Sequence, residues 1–273
     1  MLRNFKLFGV LLAAIILTAS GKVDAATNWN TNVIQATGMC AANPQTAINP
    51  THAVMQARIG AKAEAYRQLA EMVNGVQVDA ETTVEQMMLT NDTVRTKVSA
   101  TIRGARVVDE GEISGGGYFV TLELPLFGET NSIAQSVFER PAYIEPFPTP
   151  APDYRPPVIE NRPSYGNYTG LVVDCRGFDI NFVMSPVIKD IRGQKIYGHT
   201  NLDYDRIIRE GMASYARDMY EASRAGSNPL IVRAVYLDDL NANPVLSSED
   251  ADLVLYENNK SHFLDNIAVV FLY

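Results

Sequence analysis

The chain is poor in the residues that carry most familiar chemistry. Its 273 residues hold two cysteines, one tryptophan and three histidines. No C-x-x-C pair is present, which excludes thiol-exchange chemistry of that kind. Cys40 and Cys175 lie on opposite sides of a proline-rich stretch, and a bridge between them depends on a geometry that spacing does not supply. His52, His199 and His262 are far apart, without zinc-ligand spacing and without a local orienting partner for a proton shuttle. The G-x-S-x-G elbow, the H-E-x-x-H pair and the G-x-x-x-x-G-K-[ST] loop are missing, which disfavours the common hydrolases and NTPases. Basic charge is also short: 23 Lys and Arg face 31 Asp and Glu, a formal net charge of −8. That balance argues against nonspecific binding to nucleic acid or anionic lipid. No catalytic, cofactor-binding or metal-binding residue is assigned, and no cofactor is expected.

Only one long apolar run is present, and it stands at the start. Arg3 and Lys6 precede an apolar stretch over 7–19, and Val23-Asp24-Ala25 offers small residues for cleavage. Residues 1–25 therefore read as a secretory signal peptide, too short in its apolar part to hold a bilayer. Leu17-Thr18-Ala19-Ser20 has the shape of a lipoprotein processing box, with serine where the lipid-bearing cysteine would stand. Serine forms no thioether, so the mature chain is expected in the periplasm or outside the cell, soluble or held by protein contacts. No membrane span is expected after the leader is removed.

Prolines divide the mature chain. Eight of the fourteen fall between Pro141 and Pro163. Proline fixes φ and removes an amide donor, so 141–165 reads as an extended linker. Its aromatics, Tyr143, Phe147, Tyr154 and Tyr165, suit either a docking strip or a spacer that folds back on a domain. Ahead of it, residues 26–48 read as an extended N-terminal segment and 49–140 as a helix-plus-antiparallel-sheet domain. After Pro50-Thr51, apolar residues from Val54 to Met72 recur at helical spacing, with Gly60 in the middle, which predicts close approach to a sheet. Asn74-Gly75 predicts a left-handed helix end. Alternation from Val76 to Val84 then predicts a strand, 93–103 a short helix, and 106–113 with 118–126 a hairpin about Ser114-Gly115-Gly116-Gly117. A strand follows those glycines, so they form a turn and not a phosphate cradle.

Residues 166–273 read as a second α/β domain. Strands are predicted at 168–173, 187–191, 195–197, 230–237 and 267–272, a helix from Asp203 through Met219, and a short helix capped by Ser248. The fold class is thus α+β, with two small helix-on-sheet domains joined by a Pro-rich linker. Asp239, Asn241, Asn243 and Asp250 stand at positions 1, 3, 5 and 12 of a calcium-loop pattern, but Pro244 occupies the glycine position. An Asx-rich turn explains them as well. Asp109, Glu110 and Glu112 read as a solvated strand face.

The first half, with Ala57-Arg58-Ile59-Gly60-Ala61-Lys62-Ala63-Glu64-Ala65-Tyr66, Ile102-Arg103-Gly104-Ala105-Arg106-Val107-Val108 and Gly117-Tyr118-Phe119-Val120-Thr121-Leu122, resembles the small bacterial envelope lipoproteins typified by a twenty-kilodalton outer-membrane antigen. It is also similar to the N-terminal domain of the flagellar H-ring assembly protein. The second half, with Tyr168-Thr169-Gly170-Leu171-Val172-Val173-Asp174-Cys175, Met184-Ser185-Pro186 and Ile196-Tyr197-Gly198, resembles a C-terminal extension of larger members. The resemblance implies a non-enzymatic envelope protein that acts as a scaffold or adaptor in a surface or flagellar-type assembly, with envelope or surface proteins as partners. It carries no catalytic residues. The alternative expectation is an exported hydrolase or a calcium- or small-ligand-binding protein, using Asp174 and Arg176 beside Asp239.

Overall fold

The computed structural model describes residues 26–114, 116–156 and 167–273. The expected leader and the last part of the linker, with Pro157, Pro163 and Tyr165, lie outside the described residues. The chain folds as α+β in two small domains.

The first domain is an antiparallel sheet under one long helix. Strands β1 (Ala26–Asn28) and β2 (Val33–Ala41) lead into helix α1 (Pro50–Asn74), short helices α2 (Val84–Thr90) and α3 (Asp92–Arg103), the hairpin β3 (Arg106–Glu112) and β4 (Gly117–Pro125), and helix α4 (Ile133–Val137). The sheet order is β1-β2-β4-β3. Residues 26–48 are not one extended segment: β1 and β2 are joined by a turn at 29–32 and both belong to the sheet, so the domain's sheet begins at β1 and not at residue 49.

Helix α1 buries Ala53, Ala57, Ala61, Ala65, Leu69 and Val73, a four-residue spacing that draws one stripe. Small residues let that stripe sink onto the sheet. A Cβ at Gly38 of β2 would stand 2.2 Å from the Ala61 carbonyl, and one at Gly60 would stand 2.6 Å from Cys40 Sγ. Both glycines therefore mark close approach of helix to strand. Asn49 caps the helix, its side chain accepting from the His52 N–H, with Pro50 in the first turn. Gly75 ends it at φ −79°, a right-handed close in place of the expected left-handed one.

The strand expected over 76–84 is absent. Val76, Val78 and Val84 are buried, which reproduces the alternation, but Asp79 Oδ1 accepts from the N–H groups of Glu81 and Thr82 and folds the chain back. Thr83 and Gln86 then form a reciprocal capping box that starts α2.

The second domain contains two sheets. Strands β5 (Gly170–Asp174), β6 (Ile188–Asp190) and β7 (Lys195–Tyr197) precede helix α5 (Tyr204–Glu210). Then come β8 (Ser214–Ala216), β9 (Pro229–Arg233), β10 (Tyr236–Asp238), β11 (Asn243–Leu246), helix α6 (Ser248–Ser261) and β12 (Val269–Leu272). One sheet, β8-β12-β5-β9, is parallel throughout. Leu171, Val173, Val269 and Phe271 face the larger core, while Val172, Val270 and Leu272 face a smaller cluster with Ala216, Ala222 and Ala225. The mixed sheet is β10-β11-β6-β7.

The helix expected to run to Met219 stops at Glu210. Gly211 adopts φ 74°, and a Cβ there would meet the Phe127 ring of the first domain at 2.9 Å. The apolar residues beyond it enter β8. The strand expected over 230–237 divides at Ala234 between β9 and β10, which belong to different sheets. Ser247, not Ser248, caps α6.

The two domains are packed together as well as joined by the linker. Met184 and Ser185 donate their N–H groups to the Gln77 and Val78 carbonyls at 3.0 and 2.8 Å, and Gly128 donates to the Ile208 carbonyl at 2.8 Å. Met184 and Ile208 are buried in the first domain's core. Trp29 packs edge-on against Phe182 and Tyr215, with ring centroids 6.1 and 5.9 Å apart.

The described part of the linker lies along the second domain. Phe147 stacks on Tyr197, Tyr154 meets Tyr256 edge-on, the Glu145 N–H donates to the Thr200 carbonyl, and the Ala151 N–H donates to Asp252. Of its aromatics, Phe147 and Tyr154 are used internally and Tyr143 is exposed.

Candidate functional site

Two features stand out: an open sheet face on the first domain and a polar cleft at the seam. Along β2, Ile34 and Ala36 point under α1, while Gln35, Thr37 and Met39 point the other way. Register places these three opposite Glu123, Thr121 and Phe119 of β4. Thr37 and Thr121 share a hydrogen bond of 2.8 Å, Gln35 donates to Glu123 at 2.7 Å, and Arg106 of β3 pairs with the same carboxylate. This face is a polar ladder that ends in an apolar patch at Met39, which is 53 % exposed, and Phe119.

The outer edge of the sheet is guarded. Strand β3 carries four charges in seven residues and a bulge between Val107 and Asp109, both of which discourage an added strand. Glu110 is tied to Arg58 of α1 by two hydrogen bonds, at 2.9 and 2.7 Å. The arginine's hydrogen bonds are the main reason the Glu110 carboxyl lies below its ordinary pKa. Glu110 faces α1 through this pair and Asp109 pairs across to the outer face, so the hairpin carboxylates do not converge.

The cleft, of about 440 Å³, opens between the 79–82 turn of the first domain and the 185–201 and 239–243 segments of the second. Its floor is a closed network. Lys189 Nζ donates to Asp238 at 2.9 Å and Asp239 at 2.5 Å, Asn243 Nδ2 donates to Asp239 at 2.7 Å, and Asn243 Oδ1 accepts from the Val187 N–H. Desolvation is the largest single influence on Lys189 and lowers its pKa, but the hydrogen bonds to Asp239 and Asp238 together outweigh it and hold the ammonium above its ordinary value.

Asp239, Leu240 and Asn241 all take positive φ, between 47° and 62°. Such residues are strained in L-amino acids, and Asn181 holds the turn by bonding the Leu240 and Asn241 carbonyls. At the rim, His199 lies below its ordinary pKa, first because of desolvation and then because of the Lys195 cation.

The calcium-like spacing does not form a cation loop. A lysine occupies the carboxylate side of Asp239, and Asp250 bonds Ser247 at the start of α6. Asp174 and Asp239 also belong to different parts of the domain. Asp174, at the end of β5, forms a two-point ion pair with Arg176, whereas Asp239 follows β10 of the mixed sheet. The ion pair depresses the Asp174 carboxyl, the Arg176 hydrogen bond being the main cause. Asp174, Arg176 and Asp239 therefore do not assemble into one site. Cys40 and Cys175 are both free, and burial pushes the Cys175 thiol up to about 12.

Residues 35–125, which supply this open face and α1, match the LPP20 lipoprotein family. Residues 170–273 match Treponema pallidum Tp0624, second domain. No curated protein matches the chain. The two matches support a lipoprotein-like envelope affiliation, and they divide the chain where the sheets do. Among the described residues, no helix is long and apolar enough to cross a membrane.

The cleft residues Asp79, Glu81 and Lys195 escape sequence reasoning because they are brought together by the domain seam. The signal that was available locally is Asp79 followed by Thr83-Val84-Glu85-Gln86, an Asx turn running into a capping box.

Proposed function

We propose that this is an exported cell-envelope protein that acts by contact, as a non-enzymatic scaffold or adaptor in a surface or flagellar-type assembly. The reading rests on one observation: the first domain's sheet is packed on one face and open on the other, within the segment similar to a lipoprotein family. The linker's Phe147 and Tyr154 are occupied internally and the β3 edge is guarded, so the Met39 end of the open face is the contact surface. Export by the leader brings that face to envelope and surface proteins. Chemical crosslinking of whole cells followed by mass spectrometry tests this. Crosslinks from the carboxylates of Asp109 or Glu123, which lie on the open face, to a reproducible envelope partner, lost in Met39→Glu, support the reading. Crosslinks unchanged by Met39→Glu count against it.

A further inference from the structure

The cleft at the seam differs in charge between its two walls. The first domain contributes Asp79 and Glu81, and the second contributes Lys195 and His199. Asp79 uses Oδ1 to hold its own turn, and its other oxygen takes no part in that turn. Among the described residues, Asp79, Glu81 and Lys195 form no ion pair, whereas Lys189 on the floor is already neutralised by Asp238 and Asp239. The fold thus keeps two carboxylates on one wall and an ammonium beside an imidazole on the other, with no ion pair between Lys195 and either carboxylate, while Asp79 and Glu145 both act on His199 from close by.

The size and lining narrow what belongs there. At about 440 Å³ the cleft falls within the roughly 300–1,000 Å³ of small-molecule sites. Apart from Ala80 and Val187, its uncharged lining is mainly hydroxyls and amides (Thr82, Ser185, Thr200, Asn201) with no Phe, Tyr or Trp, so no broad ring stacks on a sugar or a base. A simple anion meets the Asp79 and Glu81 wall, and a simple cation meets Lys195. A molecule with an ammonium at one end and a carboxylate at the other satisfies both walls. The Gln77–Met184 and Val78–Ser185 backbone bonds join the segments that carry the two walls, so the cleft is formed before a ligand arrives.

We propose that this cleft binds a small zwitterion, a free amino acid or an unblocked short peptide, with its ammonium on Asp79 and Glu81 and its carboxylate on Lys195 and the His199 ring N–H. Because the ligand bridges the two domains, binding also stabilises their packing.

Glycylglycine is the probe, with N-acetylglycylglycine lacking the ammonium and glycylglycinamide lacking the carboxylate. Amide shifts of the intact protein are followed by NMR during titration to saturation or to the solubility limit. The expected result is a saturable response confined to 79–82 and 185–201, and affinity at least about tenfold lower for each blocked analogue. Lys195→Met is expected to abolish the preference for glycylglycine over its amide, while Lys195→Arg retains it; both changes fall on an exposed side chain and leave the spectrum folded. Glu81→Gln is expected to reduce the preference over the acetylated form. Absence of any localised shift, or blocked analogues that bind as well as glycylglycine, overturns the proposal and leaves the contact role of the open face untouched.

Discussion

The two main sheets of this protein meet their surroundings differently. In the first domain, β2 buries alternate residues under α1 and leaves Gln35, Thr37 and Met39 facing outward. In the second, β12 and the first four residues of β5 are buried, with successive side chains divided between two cores. Antiparallel sheets commonly face water on one side, while parallel sheets are covered on both. The inner strands of the parallel sheet have no face left for a partner, and those of the antiparallel one do.

Cavity-forming substitutions sharpen this contrast most strongly. Phe271→Ala, on the larger-core side of the parallel sheet, is expected to cost about 3–5 kcal/mol in urea unfolding. Gly38→Val is expected to cost about 3 kcal/mol or more, since the added atoms meet the Ala61 and Ala65 backbone and not a side chain that can swing away. Val270→Ala, on the opposite side of the parallel sheet, is expected to cost about 1–3 kcal/mol, less than Phe271→Ala because fewer carbon atoms are removed. Met39→Ala on the open face is expected to stay within about 0.5 kcal/mol of the parent. If Met39→Ala cost as much as Val270→Ala, the open face would be a packed one and the contrast would fail.

Thiol chemistry separates the same two regions. Cys40 is half-buried on β2, whereas Cys175 follows β5 in the core with its thiol pushed up to about 12. A thiol reagent at neutral pH is expected to modify Cys40 first and Cys175 only on unfolding, read by mass spectrometry.

The smallest effect concerns the ion pair at the end of β5. Asp174 is held below its ordinary value chiefly by Arg176, so the pair contributes stability above the unfolded carboxylate pKa and loses it as pH falls through the depressed one. Arg176→Ala is expected to return the Asp174 titration toward its ordinary value by NMR. Arg176 is exposed, so solvent screens the pair and the stability change at neutral pH is expected to be the smallest of the series.

Legibility depended on how local each signal is, in both domains alike. Local signals were sufficient for α1, the β3–β4 hairpin and the reversal from β6 to β7, because each depends on spacing between near neighbours in the chain. The Val76–Val84 alternation misled because the turn at Asp79 buries the same valines without a strand. The helix beyond Glu210 misled for a tertiary reason: Gly211 bends the chain against Phe127, and the apolar residues after it serve β8. Little of the candidate site was legible. Lys195 and Asp79 lie far apart in the chain, and only the seam between Gln77–Val78 and Met184–Ser185 brings their segments to one cleft.

The most direct test of the contact role places a photo-crosslinking residue in the full-length protein at position 39, on the open face, and at position 231, an exposed site on the parallel sheet's edge strand. Irradiation of intact cells should then capture one reproducible envelope protein from position 39 and none from position 231. Capture of the same protein from both positions, or from position 231 alone, would contradict the account.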